Sequence, residues 1–328
     1  NFLIDTPFAP TIKAVPDLDP GDVIITNDPY MSHGLSTHLP DIHLIRPYFH
    51  AKKIVAYGWC MVHSTDMGGA VPSSIAPSLN EIFQEGLRVP PMKFVKQGKM
   101  NDDLLAIVMA NIREPEVNMG DIRAMLGSLE TGKGRVGELI ERHGVKTFLR
   151  AQTDLLDYTA RKARDVLRLI PDGTYEFWDY MDDDKVTRIP LRVRVKLTVN
   201  DGKLDIDLSG TDPQVRAAYN VPTDGKRSYW ITIRLTNFLT TYDLSMAKNA
   251  GLYRAIEAIV PPGIMMNAEF PDACGVRHSP SLRVSGAING AIVKARPDLI
   301  PAPSAGDLIP FALAEYDALG IKRSVQVI

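Results

Sequence analysis

Residues 21–50 read GDVIITNDPYMSHGLSTHLPDIHLIRPYFH, and residues 53–69 read KIVAYGWCMVHSTDMGG. The apolar run Val23–Thr26 predicts a short strand that is buried on both faces, and it ends at a turn-forming Asn-Asp-Pro segment. Residues 42–49 and 53–63 predict two further strands, joined by a polar hairpin. The N-terminal part of the chain is therefore expected to be built on a β-sheet.

One short spacing, His-x-x-Asp, occurs twice in these segments, as His38 with Asp41 and as His63 with Asp66. Both copies lie at the edge of a predicted strand, where chemistry is more common than in a strand interior. Imidazole nitrogens and carboxylate oxygens bind divalent cations. A ligand set without thiolates is more typical of a catalytic metal site with an open coordination position than of a fully coordinated structural site. The spacing therefore indicates a metal site. Two nearby histidines compete as ligands, and they are His33 and His43.

Nucleophilic and nucleotide chemistry fit the sequence less well. Serines lie near the histidines, at Ser32, Ser36 and Ser64, but no Gly-x-Ser-x-Gly turn presents any of them as a nucleophile. The apolar neighbours of Cys60 predict burial, whereas a reactive thiolate needs an exposed, electropositive site. Residues 131–135 lack the spacing of a phosphate loop and are interpreted as a polar linker between helices.

The composition limits the class of protein. The 328 residues are 45% hydrophobic and 23% charged, with a net charge of −2, so no nucleic-acid partner is expected. No apolar run approaches the roughly 20 residues that span a bilayer, so no membrane association is expected. The separated Cys60 and Cys274 favour reduced thiols and a cytoplasmic location over a disulfide. The chain starts without Met and ends in a strand-like segment, so we expect it to be incomplete at both ends.

The pattern changes in the second half of the chain, where residues 191–199 and 204–208 alternate apolar and polar side chains around an Asn-Asp-Gly turn. This predicts a β-hairpin with one buried face. Its solvent face carries basic residues on one strand and acidic residues on the other: Arg192, Arg194 and Lys196 opposite Asp205 and Asp207. We predict an α+β fold of mixed β-sheets with flanking helices. Residues 1–175 form a metal-site α/β part, and residues 176–328 a β-rich mixed part with the hairpin.

Apolar spacing at three and four residues predicts helices in both parts. These are expected over 101–111, 120–143, 154–170, 228–244 and 287–294. Residues 270–278 are expected to be irregular.

An ordered set of motifs resembles the hydantoinase B/oxoprolinase family. The motifs that carry the resemblance are Gly21-Asp22-Val23, Asn27-Asp28-Pro29-Tyr30, Thr37-His38-Leu39-Pro40-Asp41-Ile42, residues 63–69, residues 81–86, residues 171–175, Gly210-Thr211-Asp212, residues 267–278 and Ser304-Ala305-Gly306. Members of this family are subunits or halves of ATP-dependent 5-oxoprolinases, N-methylhydantoinases and caprolactamase, and of the related acetone and acetophenone carboxylases. Many hydantoinase-type relatives carry a doubled His where this chain has Val62-His63.

The resemblance implies that this chain and a partner subunit carry out different steps of the reaction. A hydantoinase A-type subunit would bind ATP and phosphorylate the substrate, and this chain would hold a divalent metal, Zn, Mn or Fe, on His38, Asp41 and His63. Asp66 would be a fourth ligand, a residue that positions a ligand, or the catalytic base. Arg277 or His278 would bind an anionic intermediate of the small-molecule substrate. A hetero-oligomer is expected.

Three functions follow from these expectations. The first is an ATP-dependent ring-opening amidohydrolase that acts on a lactam, hydantoin or oxoproline-like carbonyl. The second is ATP-dependent carboxylation of a ketone at the same metal site. The third is a scaffold without chemistry of its own.

Overall fold

The structure is a computed structural model that describes residues 8–301, 311–316, 318 and 322–327. The motif Ser304-Ala305-Gly306 lies outside the described residues. The chain divides into two compact units at Arg150 and Ala151. The first unit contains the described residues up to Arg150 and the two strands after residue 310, and the second contains those from Ala151 to Pro301.

The first unit is built on a five-stranded sheet in the order β3-β2-β1-β4-β5, in which every neighbouring pair is antiparallel. All four residues of β1 are buried, as its unbroken apolar run predicts. The strands are β1 (Val23–Thr26), β2 (Asp41–His50), β3 (Lys53–His63), β4 (Met92–Lys96) and β5 (Lys99–Met100), and a separate antiparallel pair is formed by β10 (Phe311–Tyr316) and β11 (Lys322–Val327).

The long hairpin of β2 and β3 confirms the two strands predicted from the sequence. Ala51 and Lys52 form its two-residue loop, and both have positive φ values, 45° and 66°. Left-handed backbone at both positions matches the twist of the strands it joins. The hairpin register places Asp41 directly opposite His63 at the end remote from this loop.

Helices cover the rest of this unit, and the longest of them packs on β2 and β3. The helices are α1 (Ala9–Ala14), α2 (Ile82–Glu85), α3 (Asp102–Asn111), α4 (Pro115–His143) and the start of α5 (Val145–Leu167). The Tyr48 hydroxyl donates to the carbonyl of Leu129 at 2.7 Å and ties α4 to the sheet. The prediction of a linker over residues 131–135 is wrong, because the segment is part of the continuous helix α4. Each glycine destabilises the helix by only about 1 kcal/mol, and packing of the buried side of α4 on the sheet offsets this cost.

The second unit is built on a four-stranded sheet in the order β6-β7-β8-β9. The first two pairings are antiparallel and the last is parallel, so this sheet is mixed. The strands are β6 (Gly173–Met181), β7 (Leu191–Asn200), β8 (Lys203–Asp207) and β9 (Ile256–Ile259), and the helices are α6 (Tyr229–Tyr242), α7 (His278–Ala295) and most of α5.

The predicted hairpin is confirmed as β7 and β8, with the burial of β7 alternating along the strand. The pairing of its charges is only partly as predicted. Lys196 meets Asp207 at 2.6 Å, but Arg194 pairs with Glu176 of β6 at 2.7 Å. The edge strand β6 was not predicted from the sequence, and it supplies this second acidic partner.

The helix predicted over residues 287–294 begins much earlier, at His278. Pro280 lies in its first turn, where proline removes no helical hydrogen bond. Gly286 and Gly290 face β6, where an added Cβ would lie 2.7 Å from the Asp179 carboxylate and 2.4 Å from the Phe177 ring. The proline and glycines of this segment are therefore compatible with a helix packed closely on a strand.

The antiparallel sheet of the first unit and the mixed sheet of the second, with their flanking helices, confirm the α+β class. Within the part of the chain that the structure describes, no helix is long and apolar enough to cross a membrane.

Candidate metal site

The first His-x-x-Asp motif and the histidine of the second meet at one end of the β2–β3 hairpin. Asp41 is the first residue of β2 and His63 the last of β3, and the two are cross-strand partners. His38 precedes Asp41 by three residues, in a turn where the backbone N–H of Asp41 donates to the carbonyl of His38 at 3.2 Å. The antiparallel register therefore brings together His38 and His63, which lie 25 positions apart in the sequence.

One ligand atom from each of His38, Asp41 and His63 can be chosen so that all three lie within 4.8 Å of one another. The Nε2 of His38 lies 3.0 Å from Oδ1 of Asp41, and the two imidazole rings lie 4.8 Å apart at an angle of 52°. His38 is fully buried and Asp41 nearly so, whereas His63 is half-buried. Among the described residues, this is the only such group of three or more His, Cys, Asp or Glu side chains.

The donor set fits a divalent cation. Two imidazole nitrogens and one carboxylate oxygen are the ligands found at catalytic zinc centres, where a fourth position stays open. With metal bonds of about 2.0–2.2 Å, ligand atoms around a tetrahedral ion lie roughly 3.4 Å apart. The three ligand atoms here lie within 4.8 Å of one another, so their side chains would have to draw closer together to share an ion. Of the three side chains, that of His63 is the most exposed to solvent.

Buried polar side chains hold the two ligand-bearing loops in place. Asn27 donates to the carbonyls of Leu39 and Leu87 at 2.8 and 3.0 Å, and its own oxygen accepts from the N–H of Val89 at 2.7 Å. The backbone N–H of Ser64 donates to the carbonyl of Pro40 at 2.6 Å and joins the segments of His38 and His63 directly. The segments that carry the candidate ligands are thus held in place by hydrogen bonds between residues that lie far apart in the sequence.

Asp66 lies in the same loop as His63, but its carboxylate is surrounded by donors. Oδ1 accepts from the backbone N–H groups of Gly68 and Arg113, and Oδ2 accepts from the N–H of Ser73 and the Arg113 guanidinium at 2.7 Å. The same guanidinium also donates to the carbonyls of residues 68, 69 and 71. These contacts favour an anchoring role for Asp66 over a role as a base, because both of its oxygens are already hydrogen-bonded twice.

The ion pairs that two arginines of this unit form with motif aspartates were not predicted from the sequence. Arg113 neutralises the buried Asp66, and Arg88 binds Asp28 with its Nε and Nη2 at 2.9 and 2.8 Å. Asp28 in turn accepts from two backbone N–H groups of the loop that precedes His38. The motif aspartates could have indicated that such partners exist, since a buried carboxylate requires a cation or several hydrogen-bond donors.

The competing ligands lie elsewhere. His33 is exposed, with a φ of 55°. His43 accepts a hydrogen bond on Nδ1 from the Trp59 indole at 3.1 Å and stacks on that ring. Neither belongs to the group of three ligand atoms.

The alternative nucleophiles are occupied or unreactive. The hydroxyls of Ser36 and Ser64 donate to the carbonyls of His38 and Asp66 at 2.8 and 3.0 Å. Burial raises the pKa of Cys60 to about 11, so its thiol stays protonated at neutral pH. These contacts favour structural roles for all three side chains.

Arg277 and His278 lie in the second unit, at the start of α7. Both are buried, and the Arg277 guanidinium lies 4.8 Å from the centre of the Trp230 ring. Their role in substrate binding stays a prediction.

A His-Asp-His group on an α+β scaffold, with two of its three side chains buried, defines a candidate metalloprotein. More specifically, the chain belongs to the hydantoinase B/oxoprolinase family, whose family model matches residues 4–327. This confirms the resemblance seen in the motifs.

Relatives and solved structures support the same assignment. A Pseudomonas sp. (strain NS671) protein named as the B component of a D-/L-hydantoinase is 31% identical over 291 residues, which are 86% of this chain and 48% of that protein. The crystal structure of the ATP-dependent caprolactamase from Pseudomonas jessenii matches with a TM-score of 0.78 and 27% identity, over 86% of this chain and 48% of that one. Nucleotide-free acetone carboxylase matches with a TM-score of 0.82 over 95% of this chain and 42% of that one, and at 16% identity this likeness concerns the fold alone. The chain spans about half the length of the curated relatives it matches.

Proposed function

We propose that this chain is the metal-bearing component of an ATP-dependent, ring-opening amidohydrolase that acts on a lactam, hydantoin or oxoproline-like substrate. The observation that carries the proposal is the convergence of His38, Asp41 and His63 in a chain of the hydantoinase B/oxoprolinase family. Relatives named for hydantoinase and caprolactamase activity support amide hydrolysis as the reaction class.

His38, Asp41 and His63 would hold the ion. A divalent cation, Zn, Mn or Fe, supplies Lewis acidity and lowers the pKa of water toward neutrality. The protein's own contribution is to keep the ligands in position: Thr37 donates to Oδ2 of Asp41 at 3.4 Å, and Oδ1 of the same carboxylate faces Nε2 of His38. The half-buried His63 leaves one side of the site open to a substrate.

We infer that ATP is bound by an A-type partner and that the pair forms a hetero-oligomer. The sequence segment with a partial likeness to a phosphate loop lies inside helix α4. A phosphate loop needs a glycine-rich turn between a strand and a helix, so this segment does not provide one. In this scheme the partner phosphorylates the substrate carbonyl oxygen, and this chain completes the hydrolysis in the cytoplasm.

Carboxylation of a ketone, which the family resemblance also implies, stays the second candidate. The same three ligands would serve either reaction. Amide hydrolysis is preferred because relatives of about 30% identity over most of the chain carry hydrolase names.

The test is a steady-state assay of the protein assembled with its ATP-binding partner. ATP-dependent ring opening of a lactam, hydantoin or 5-oxoproline, detected as the product that carries the new carboxylate, is the expected result, and Asp41→Asn should abolish it. His50→Ala, which changes an exposed histidine at the other end of the same hairpin, should keep full activity. Bicarbonate-dependent consumption of a ketone without amide hydrolysis would overturn the hydrolase assignment, and an active Asp41→Asn enzyme would indicate a scaffold.

A further inference from the structure

The second unit contains a cavity of about 280 Å³ that the metal site does not involve. Its walls come from the end of β6, the loop after that strand, the loop around Tyr219 and the first two turns of α7. Ligand pockets for drug-sized molecules begin at about 300 Å³, so this cavity suits a smaller molecule, of the size of an amino acid.

The cavity carries both signs of charge. Lys185 and Arg283 supply two cations, and Asp182 and Asp183 supply two carboxylates. The Arg283 guanidinium lies 3.4 Å from Asp179, and the Lys185 ammonium lies 3.4 Å from Asp183. Both distances exceed the roughly 2.7–2.9 Å of a tight charged hydrogen bond. An ionised ligand in the cavity would meet side chains of both charge signs.

The charged loop is held in one conformation. Oδ1 of the buried Asp184 accepts from the N–H groups of Val186 and Thr187 at 2.9 and 2.6 Å and from the Thr187 hydroxyl at 3.0 Å. These hydrogen bonds close a turn over residues 184–187, directly after Asp183. The neighbouring Tyr219 and then Asp183 raise the pKa of Lys185, so the side chain is a cation at neutral pH.

Aromatic rings complete the lining. Tyr219 is buried in the wall, with 7% of its surface exposed, and Tyr180 covers the cavity from the end of β6. Phenol rings pack against methylene groups and offer hydroxyls at their edges. The lining thus combines two phenol rings with side chains of both charge signs, which a small molecule with one positive and one negative group would contact.

We propose that this cavity binds a small zwitterionic amino acid, with its carboxylate on Arg283 and Lys185 and its ammonium group on Asp182 and Asp183. The choice of ligand rests on the proposed function. Addition of water to a lactam breaks the ring C–N bond, and the carbonyl carbon becomes a carboxylate while the nitrogen becomes an amine on the same molecule. The cavity would therefore recognise the ring-opened product of a lactam.

The test is isothermal titration calorimetry of the purified protein, without ATP or partner, against 6-aminohexanoate, hexanoate and hexylamine. The amino acid should bind at least about tenfold more tightly than either singly charged probe. Lys185→Gln, in an exposed loop, and Arg283→Gln should each weaken binding by about tenfold. Arg296→Gln, which removes an exposed arginine paired with Asp298 in the same unit, should leave binding unchanged.

Equal binding of hexanoate would overturn the proposal in favour of a simple anion site. Binding that neither Lys185→Gln nor Arg283→Gln alters would place the ligand elsewhere, and absence of binding at millimolar concentration would also overturn it. The measurement needs neither turnover nor a metal. Its failure is therefore distinguishable from failure of the amidohydrolase assay.

Discussion

At the level of single residues, the pair of Asp66 and Arg113 decides how the second His-x-x-Asp motif is understood. The motif suggests a ligand or a base, but Asp66 is fully buried and receives four hydrogen bonds. Arg113 joins this carboxylate to three carbonyls of the Gly68–Val71 segment. One side chain thus organises the loop that follows His63.

Arg113→Lys is expected to lower the free energy of unfolding by about 2 kcal/mol, because a lysine ammonium cannot serve the guanidinium's separate acceptors and leaves buried groups unsatisfied. Chemical denaturation measures the loss. Arg135→Gln, at an exposed ion pair with Glu138, is the control and should leave the unfolding midpoint unchanged.

The same experiment separates the two roles of Asp66. As an anchor, Asp66→Asn should destabilise the protein much as Arg113→Lys does. An Asp66→Asn protein of unchanged stability that has lost activity in the assembled enzyme would instead support the catalytic base.

At the level of elements, local patterns predicted some parts well and long-range packing determined the others. The hairpin of β2 and β3 was predicted because its apolar runs are continuous and its turn is polar, and the hairpin then brings Asp41 and His63 together. The start of α7 was not predicted, since Pro280 and Gly286 have low helix propensity and the packing of Gly286 against Asp179 of β6 is not visible in the sequence. Arg113 was missed for the same reason: its acceptors lie more than 40 positions away.

The glycines of two helices should respond oppositely to alanine. Gly290→Ala in α7 should destabilise the protein by about 1–3 kcal/mol, because the new methyl group would overlap the Phe177 ring. Gly134→Ala in α4 meets open space and should stabilise by roughly 0.5–1 kcal/mol. Thermal or chemical denaturation gives both values, and a stabilising Gly290→Ala would contradict the close packing of α7 on β6.

At the level of the whole molecule, the family assignment covers nearly the entire chain, while the chain covers about half of its curated relatives. The proposed chemistry therefore depends on what this chain supplies to a larger enzyme. In the proposed function, that contribution is three metal ligands from two strands and a turn, and these side chains come together only when the sheet is formed. An ion that binds there stabilises the folded state by mass action.

Metal content after reconstitution tests this account most directly. The purified protein is loaded with Zn²⁺, Mn²⁺ or Fe²⁺, desalted and analysed for bound metal, with His38→Ala, His63→Ala and the control His50→Ala in parallel. We predict roughly one equivalent of metal in the wild type and in His50→Ala, a loss in both ligand variants, and a lower melting temperature of the wild type after chelation. A wild type that retains no metal, or a His63→Ala protein that retains as much as the wild type, would contradict the account.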